Sequence, residues 1–247
     1  MRLAVLTDLH ANREAVEAVL DHARGQRIDR HALLGDFVGY GADPGWVVDT
    51  VRDLVARGAI AVMGNHDAAV ARGALPGMRP EPRHVVEWTR ARLDGAQIDF
   101  LATLPLQQET DDAIFVHANA WAPGQWEYIQ GRSEALRSLH ATRRHLTFCG
   151  HMHEPALYHL SALGKAGEFV PVPGDPIPLL APRRWLAIPG SVGQPRDGNP
   201  AACYAVYDED RGELTWWRVP YDAEAAGDKI LAAKLPPSLA ARLLDGR

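Results

Sequence analysis

Cysteine is scarce in this 247-residue chain: Cys149 and Cys203 are too few for a disulfide framework and read as buried free thiols. Long apolar runs are also missing. None approaches the roughly 18 residues that a membrane span needs. The first, residues 3–6, stops just before Asp8 and is too short for a signal peptide. These absences give the expectation of a cytoplasmic protein with no membrane partner. Positive charge is not in excess either. The net charge of −5 argues against a general nucleic-acid-binding surface. The chain has no internal repeat, heptad pattern or low-complexity tract. It lacks a Gly-x-x-x-x-Gly-Lys-(Ser/Thr) phosphate loop, and no Ser, Cys or Lys stands out as a nucleophile. What remains is a 47% hydrophobic, 23% charged composition, enough for a sizeable core and read as one domain over residues 1–247.

The early chain alternates two periodicities. Short apolar runs at residues 2–7, 31–34 and 59–63 read as buried strands. A helix capped by Asn12, with Val16, Val19, Leu20 and Ala23 on one face, follows the first run. A helix opened by Asp43-Pro44 follows the second. Strand–helix–strand–helix–strand predicts a parallel sheet covered by helices. Residues 68–82 are Gly/Pro/Arg-rich and read as irregular. Helices are expected over 84–93 and 97–104, a hairpin from 106–109 and 113–116, a helix capped by Ser133 through about 140, and a strand at 146–149. The rest is more β-like, with strands expected at 156–160, 168–172, 185–188, 202–207 and 214–219. A turn-rich segment, 173–184, interrupts them, and two short helices broken at Pro236-Pro237 end the chain. The fold class is therefore α/β, with two packed sheets.

Five of the predicted strands end in the same manner. Each is followed at once by metal-type ligands: Asp8 and His10, Asp36, Asn65, His117, then His151 and His153. Five of the eleven histidines occupy such positions, counting His66. In open α/β sheets, ligands gather at the carboxyl ends of strands. Within Gly64-Asn65-His66-Asp67, Asn65 offers a neutral oxygen, His66 a proton-transfer group near neutral pH, and Asp67 a carboxylate that would orient the imidazole. Each motif alone is an ordinary turn or cap; the ordered set is not.

This order, Asp-x-His, Gly-Asp, Gly-Asn-His-Asp, His, Gly-His-x-His, resembles the calcineurin-like metallophosphoesterase superfamily, across residues 8–153 with a softer echo to about 200. Gly-Asp-Phe-Val-Gly-Tyr-Gly and Gly-Ser-Val-Gly-Gln-Pro-Arg-Asp-Gly look like a bacterial branch of small phosphodiesterase-like members. The resemblance implies two β-sheets packed face to face, flanked by helices, with two metals at the strand ends. It implies Asp8, His10, Asp36 and His153 around one ion and Asp36, Asn65, His117 and His151 around the other, with Asp36 and a water or hydroxide bridging. His66 would face substrate as a general acid, with Asp67 behind it. Ala118 departs from the Gly that many relatives carry after the His117 equivalent, which alters backbone rather than ligand.

Carboxylate, imidazole and amide donors without thiolate suit Mn, Fe, Ni or Zn better than Ca or Mg. Two such ions sharing a carboxylate would stand roughly 3.5–4 Å apart, activate a bridging water and neutralise phosphoryl charge. The reading is a phosphodiesterase acting on a small phosphoester, possibly nucleotide-containing. Its rivals are a phosphomonoesterase or nucleoside-polyphosphate hydrolase on the same site, and a non-catalytic scaffold like the retromer subunit. Related phosphoprotein phosphatases and symmetrical dinucleoside-tetraphosphate hydrolases carry an Arg soon after the Gly-Asp block, whereas here no cation appears until Arg52, which is expected to face solvent. Trp121, Trp126 and Tyr128 follow His117 and either line the pocket or form a lid packed on the body. Arg196 either reaches a phosphate or forms a structural ion pair.

Overall fold

A computed structural model describes residues 1–74 and 77–247. In chain order the elements are β1 (Arg2–Leu6), α1 (Arg13–Gly25), β2 (Arg30–Leu33), α2 (Pro44–Ala56), β3 (Ile60–Ala61), α3 (Asn65–Arg72), α4 (Pro80–Arg90), α5 (Gly95–Thr103), β4 (Gln107–Glu109), β5 (Ala113–Val116), α6 (Arg132–Ala141), β6 (Leu146–Phe148), β7 (Ala156–Ser161), β8 (Ala166–Phe169), β9 (Ile177–Pro178), β10 (Arg183–Ile188), β11 (Ala202–Asp208), β12 (Glu213–Val219), α7 (Ala223–Ala232) and α8 (Pro237–Asp245).

The strands form two six-stranded mixed sheets, ordered β3-β2-β1-β11-β12-β9 and β4-β5-β6-β10-β7-β8. In the first, β1, β2 and β3 run parallel while β11 joins β1 antiparallel. In the second, β5, β6 and β10 run parallel. Side-chain alternation stacks the sheets. Leu3 and Val5 of β1 face inward with Phe115, Phe148, Trp185 and Trp216, whereas Ala4 and Leu6 face outward against Val16 and Val19 of α1 and Val47 and Val51 of α2. Both faces of β1 are thus buried, which explains its unbroken apolar sequence. Each fully buried large side chain contributes about 1.5–3 kcal/mol. The outer face of the second sheet is covered by α6 through Ala135 and Leu139. Cys149 and Cys203 are free and buried.

Several local expectations are corrected. Residues 65–72 form α3, not irregular chain, because Gly64 caps the helix and Asp67 accepts the Gly64 N–H at 2.9 Å. The rest of the segment expected to be irregular includes 75–76, which lie outside the described residues. Asn65 therefore begins a helix; β3 ends at Ala61. Ser133 lies inside α6, whose cap is Gly131. The Asp43 carboxylate makes no cap bond but pairs with Lys229 at 2.8 Å, tying α2 to α7. Strand β8 lies two to three residues earlier than expected, since the Leu160–Ala166 pairing of its hairpin fixes the register. The turn-rich 173–184 stretch contains β9, which pairs with β12.

Candidate metal centre

The strand ends of both sheets converge, and the backbone there is unusual. Asp8, His10, Asp36, His151 and His153 all have left-handed φ, between 48° and 68°. Such conformations cost of order 1–3 kcal/mol each in non-glycine residues and persist only where surroundings enforce them. The enforcement is visible. Asp8 N–H donates to Gly35 O at 3.1 Å and His10 N–H to Asp36 O at 2.9 Å. Ser191 Oγ donates to Asp8 O at 2.9 Å and Gly193 N–H to the same oxygen at 2.8 Å. Glycine is required at Gly150, where a Cβ would collide with Thr7 Oγ1 and lie 2.7 Å from Asp8 Oδ2.

Four imidazoles are turned inward by carbonyls behind them. Nδ1 of His10 donates to Val38 O at 3.2 Å, Nδ1 of His117 to Leu34 O at 2.7 Å, and Nδ1 of His153 to Gln194 O at 2.6 Å. His151 is reversed: its Nε2 donates to Trp126 O at 3.1 Å. A ring nitrogen that donates to a carbonyl carries the proton, so each opposite nitrogen presents a lone pair. Those lone pairs face one another. His10 Nε2 is 3.1 Å from His153 Nε2, and His117 Nε2 is 3.1 Å from His151 Nδ1. Two bare lone pairs repel at that distance; a proton or a metal cation between the nitrogens makes the approach favourable. The carboxylates agree. Oδ1 of Asp8 is buried without a hydrogen-bond donor, and lies 3.3 Å from His153 Nε2. Oδ2 of Asp36 lies 3.3 Å from His117 Nε2 and 3.8 Å from His10 Nε2. Asn65 Oδ1 is 3.0 Å from His117 Nε2.

The ligand-competent atoms group as Asp8, His10 and His153; as Asp36, His117 and His151; and as His10, Asp36 and His66. Asp36 stands in two of the three groups. The donor set of neutral imidazole nitrogens, carboxylates and one amide oxygen fits divalent ions.

Burial disfavours charge throughout. It lowers the pKa of His10, reinforced by His153, and with His117 it brings His151 down to about 4. His117 is the exception: burial opposes its charge, but Asp36 outweighs burial and pushes it up to about 9. Asp36 is held well below the usual carboxylate range by His117, His66 and His10, against the effect of burial. A cation competes with the His117 proton for the same lone pair.

His66 and Asp67 part company. Asp67 does not meet the imidazole. Its Oδ1 accepts from Phe37 N at 2.9 Å and Val38 N at 3.3 Å, and its Oδ2 from Gly64 N. The expectation that Asp67 orients His66 is thereby corrected: in the first turn of a helix a carboxylate folds back onto nearby amides, here those of the Asp36 loop. Burial and the neighbouring Asp36 push the Asp67 carboxyl up to about 7. His66 instead has Nε2 3.0 Å from Tyr40 Oη, and its backbone N–H donates to Asp36 Oδ1 at 2.8 Å. Its ring fits only because residue 39 is glycine; a Cβ there would stand 2.5 Å from Nδ1.

The aromatic loop divides. Tyr128, 47% exposed, stacks on His151 with centroids 4.1 Å apart, and Trp126 approaches His117 edge-on at 5.8 Å. Trp121 turns away: its Nε1 donates to Glu127 Oε1 at 3.2 Å, and the Arg137 guanidinium covers its ring. Among the described residues Arg196 makes no ion pair. Asp197 takes Arg218 instead, while Arg196 donates to Gln194 Oε1 at 3.0 Å and lies 5.7 Å from the Tyr40 ring centroid. Arg52 is exposed and pairs with Asp49, as its helix position suggests. The motifs did not single out Tyr40, Gln194 or the Trp126 carbonyl. Tyr40 had one signal, its place between two glycines.

The family profile of the calcineurin-like phosphoesterase superfamily domain matches residues 1–212. An uncharacterized protein of Methanocaldococcus jannaschii is 35% identical over 99% of this chain and 98% of its own length. A metallophosphoesterase from Sphaerobacter thermophilus superposes with a TM-score of 0.89 at 36% identity, covering 100% of this chain and 99% of that one. A hypothetical protein from Pyrococcus horikoshii shares the fold, with a TM-score of 0.78 at 19% identity over 100% and 98% of the two chains. Within the described residues no helix is long and apolar enough to cross a membrane. This chain therefore belongs to the calcineurin-like phosphoesterase superfamily, a family of dinuclear metal-dependent proteins.

Proposed function

We propose that the protein is a metal-dependent phosphoric ester hydrolase that favours phosphodiesters. The inward lone pairs of His10, His153, His117 and His151, each fixed by a carbonyl behind the ring, carry this reading. Asp8, His10, Asp36 and His153 would hold one ion and Asp36, Asn65, His117 and His151 the other, drawn from Mn, Fe, Ni or Zn. When bound, such ions supply an activated water and charge neutralisation at the phosphoryl group. His66, beside the ligands and bonded to Tyr40, delivers a proton to the departing oxygen. Tyr128 and Trp126 stand where the second ester group would lie. The partner is a small phosphoester. The buried free thiols Cys149 and Cys203 suit a reducing compartment, the cytoplasm.

The diester preference rests on the loop after Asp36, where no Arg fork meets a dianion. One observation favours the rival monoester reading: Arg196, without an ion pair among the described residues, lies beside Tyr40. The test is hydrolysis of bis(p-nitrophenyl) phosphate against p-nitrophenyl phosphate with Mn²⁺ or Ni²⁺, on wild type and Arg196→Ala. The expected result is a higher kcat/KM for the diester. A monoester preference that vanishes in the variant would establish the rival.

A further inference from the structure

Beside the ligands lies a cavity of about 760 Å³, with Asn65, His66 and Tyr40 on the wall nearest the candidate ions. Its remaining walls come from Ala69 of α3, from Met78 and the first half of α4, from Arg196 and from α8. Three arginines line it, Arg79, Arg196 and Arg242, against one carboxylate, Glu81. That is a local excess of two positive charges, three minus one, in a chain whose net charge is −5. Arg79 and Arg242 have no ion-pair partner among the described residues. Glu81 Oε1 accepts a hydrogen bond from Ser238 Oγ of α8, so its carboxylate bonds across to that helix. Between the charges the wall is apolar, formed by Val85, Val86 and Leu239.

The cavity is wide enough for a nucleotide-sized group, since drug-sized ligand sites span about 300–1,000 Å³. His66 fixes which half of the substrate enters it. A proton donor to the departing oxygen must stand on the departing side, and His66 opens onto this cavity. The donors exceed the needs of the reacting phosphoryl group, which would sit at the ions. Unpaired guanidinium groups match a phosphate through charge-assisted, two-pronged hydrogen bonds. Neither Arg79 nor Arg242 belongs to a motif of the family, and Arg242 lies beyond the region that its profile matches.

We propose that this cavity binds the departing half of the substrate, and that Arg79 and Arg242 select a departing half that carries a phosphate of its own. This rests on the phosphodiesterase reading above. In the reaction, water supplies the oxygen of the new phosphomonoester. The bond from phosphorus to the departing oxygen breaks, and that oxygen takes a proton from His66.

The test compares two dinucleotides with the same scissile diester. In adenylyl-(3′→5′)-adenosine both nucleosides are uncharged, and the product, adenosine 5′- or 3′-monophosphate, shows whether the 3′- or the 5′-oxygen departs; the partner substrate carries its extra phosphate on the departing nucleoside, at its 5′ position in the first case and at its 3′ position in the second. Wild type is expected to favour the phosphorylated form in kcat/KM by roughly 10–100-fold, the usual scale of charged hydrogen bonds. In Arg79→Gln/Arg242→Gln that ratio falls to about 1, with the fold checked by melting temperature. A wild-type ratio near 1, or a ratio retained in the double variant, overturns the proposal. Bis(p-nitrophenyl) phosphate reports separately on the underlying reading: if neither it nor either dinucleotide is cleaved, the activity assignment has failed. Calorimetry of the metal-loaded protein then decides the cavity. Adenosine 5′-monophosphate should bind more weakly to the double variant while inorganic phosphate, held at the ions, binds as before; equal affinity for the nucleotide overturns the proposal.

Discussion

The hydroxyl of Tyr40 stands 3.0 Å from Nε2 of His66, so the partner of this imidazole comes from the loop after β2 and not from Asp67, its neighbour in sequence. Burial lowers the His66 pKa while Asp36 opposes that shift. Replacing His66 by Ala is expected to slow turnover roughly 10²–10⁴-fold, the usual worth of a positioned acid. The loss should be greater for esters with poor leaving groups, and both ions should be retained. Tyr40→Phe, which removes one hydrogen bond, is expected to cost only about tenfold. Steady-state rates on activated and unactivated esters, with metal analysis, check both. Equal losses across esters in His66→Ala would exclude the proton-donor role, and loss of metal would make His66 a ligand.

Asp36 Oδ2 lies 3.8 Å from His10 Nε2 and 3.3 Å from His117 Nε2, between the two proposed positions, so its removal should empty both. Asp36→Asn is expected to hold fewer than one ion per chain by elemental analysis; two tightly held ions would contradict the shared role. Chelation of the wild type should lower stability by roughly 2.7 kcal/mol if free metal had been about 100 times Kd. A melting temperature unchanged after verified removal would show that folding and binding are not linked.

Asp67 organises backbone. It satisfies the amides of Gly64, Phe37 and Val38, all within the loops that present Asn65 and Asp36. Asp67→Ala strands these donors, and each buried unsatisfied group costs about 1–3 kcal/mol. We expect a urea midpoint well below wild type for Asp67→Ala, with partial recovery in Asp67→Asn, which keeps one acceptor. A wild-type midpoint for Asp67→Ala would mean that water replaces the carboxylate.

The metal-free protein should lose stability as pH rises from 7 to 9. His117 has its pKa raised in the fold to about 9 from 6.5, so the stabilisation is complete below 6.5 and is lost as pH passes 9. Asp67, raised to about 7, gives a slope of the same sign, but below that window. The expected loss is on the order of 2–3 kcal/mol. In the metal-loaded protein an ion takes the place of that proton, and the slope should flatten. Parallel pH–stability curves for the two forms would refute this account.

The ligands were legible because each closes a short apolar run. The run marks a strand, the strand's end marks the site, and Asp8, Asp36, His117 and His151 follow directly. Helix α3 was not legible, since its cap is a glycine and its second half runs into Gly/Pro-rich chain. Asp67 was misread because adjacency in sequence suggests adjacency of side chains, whereas successive helical residues point about 100° apart. Arg79 and Arg242 could not be found from motifs, and Tyr40 lies inside one, Gly-Asp-Phe-Val-Gly-Tyr-Gly, that assigns it no role. The neighbours of the two arginines lie far along the chain, and the packing of α4 against α7 and α8, through Val85, Trp88, Ile230 and Leu243, brings them to the site.

The two terminal helices give the molecule a division of labour along its length. Every candidate ion ligand lies between residues 8 and 153, whereas Leu239 and Arg242, on the far wall of the cavity, arrive after residue 236. If the cavity selects substrate as proposed, selectivity draws in part on a stretch of chain outside the ligand motifs. The tail supplies no candidate ion ligand among the described residues, although it packs against the site loop at Tyr40 and Ala42, so homologues that share the ligand set need not share a substrate. The residues facing the cavity from α8, rather than the motifs at the strand ends, are where such divergence would be read.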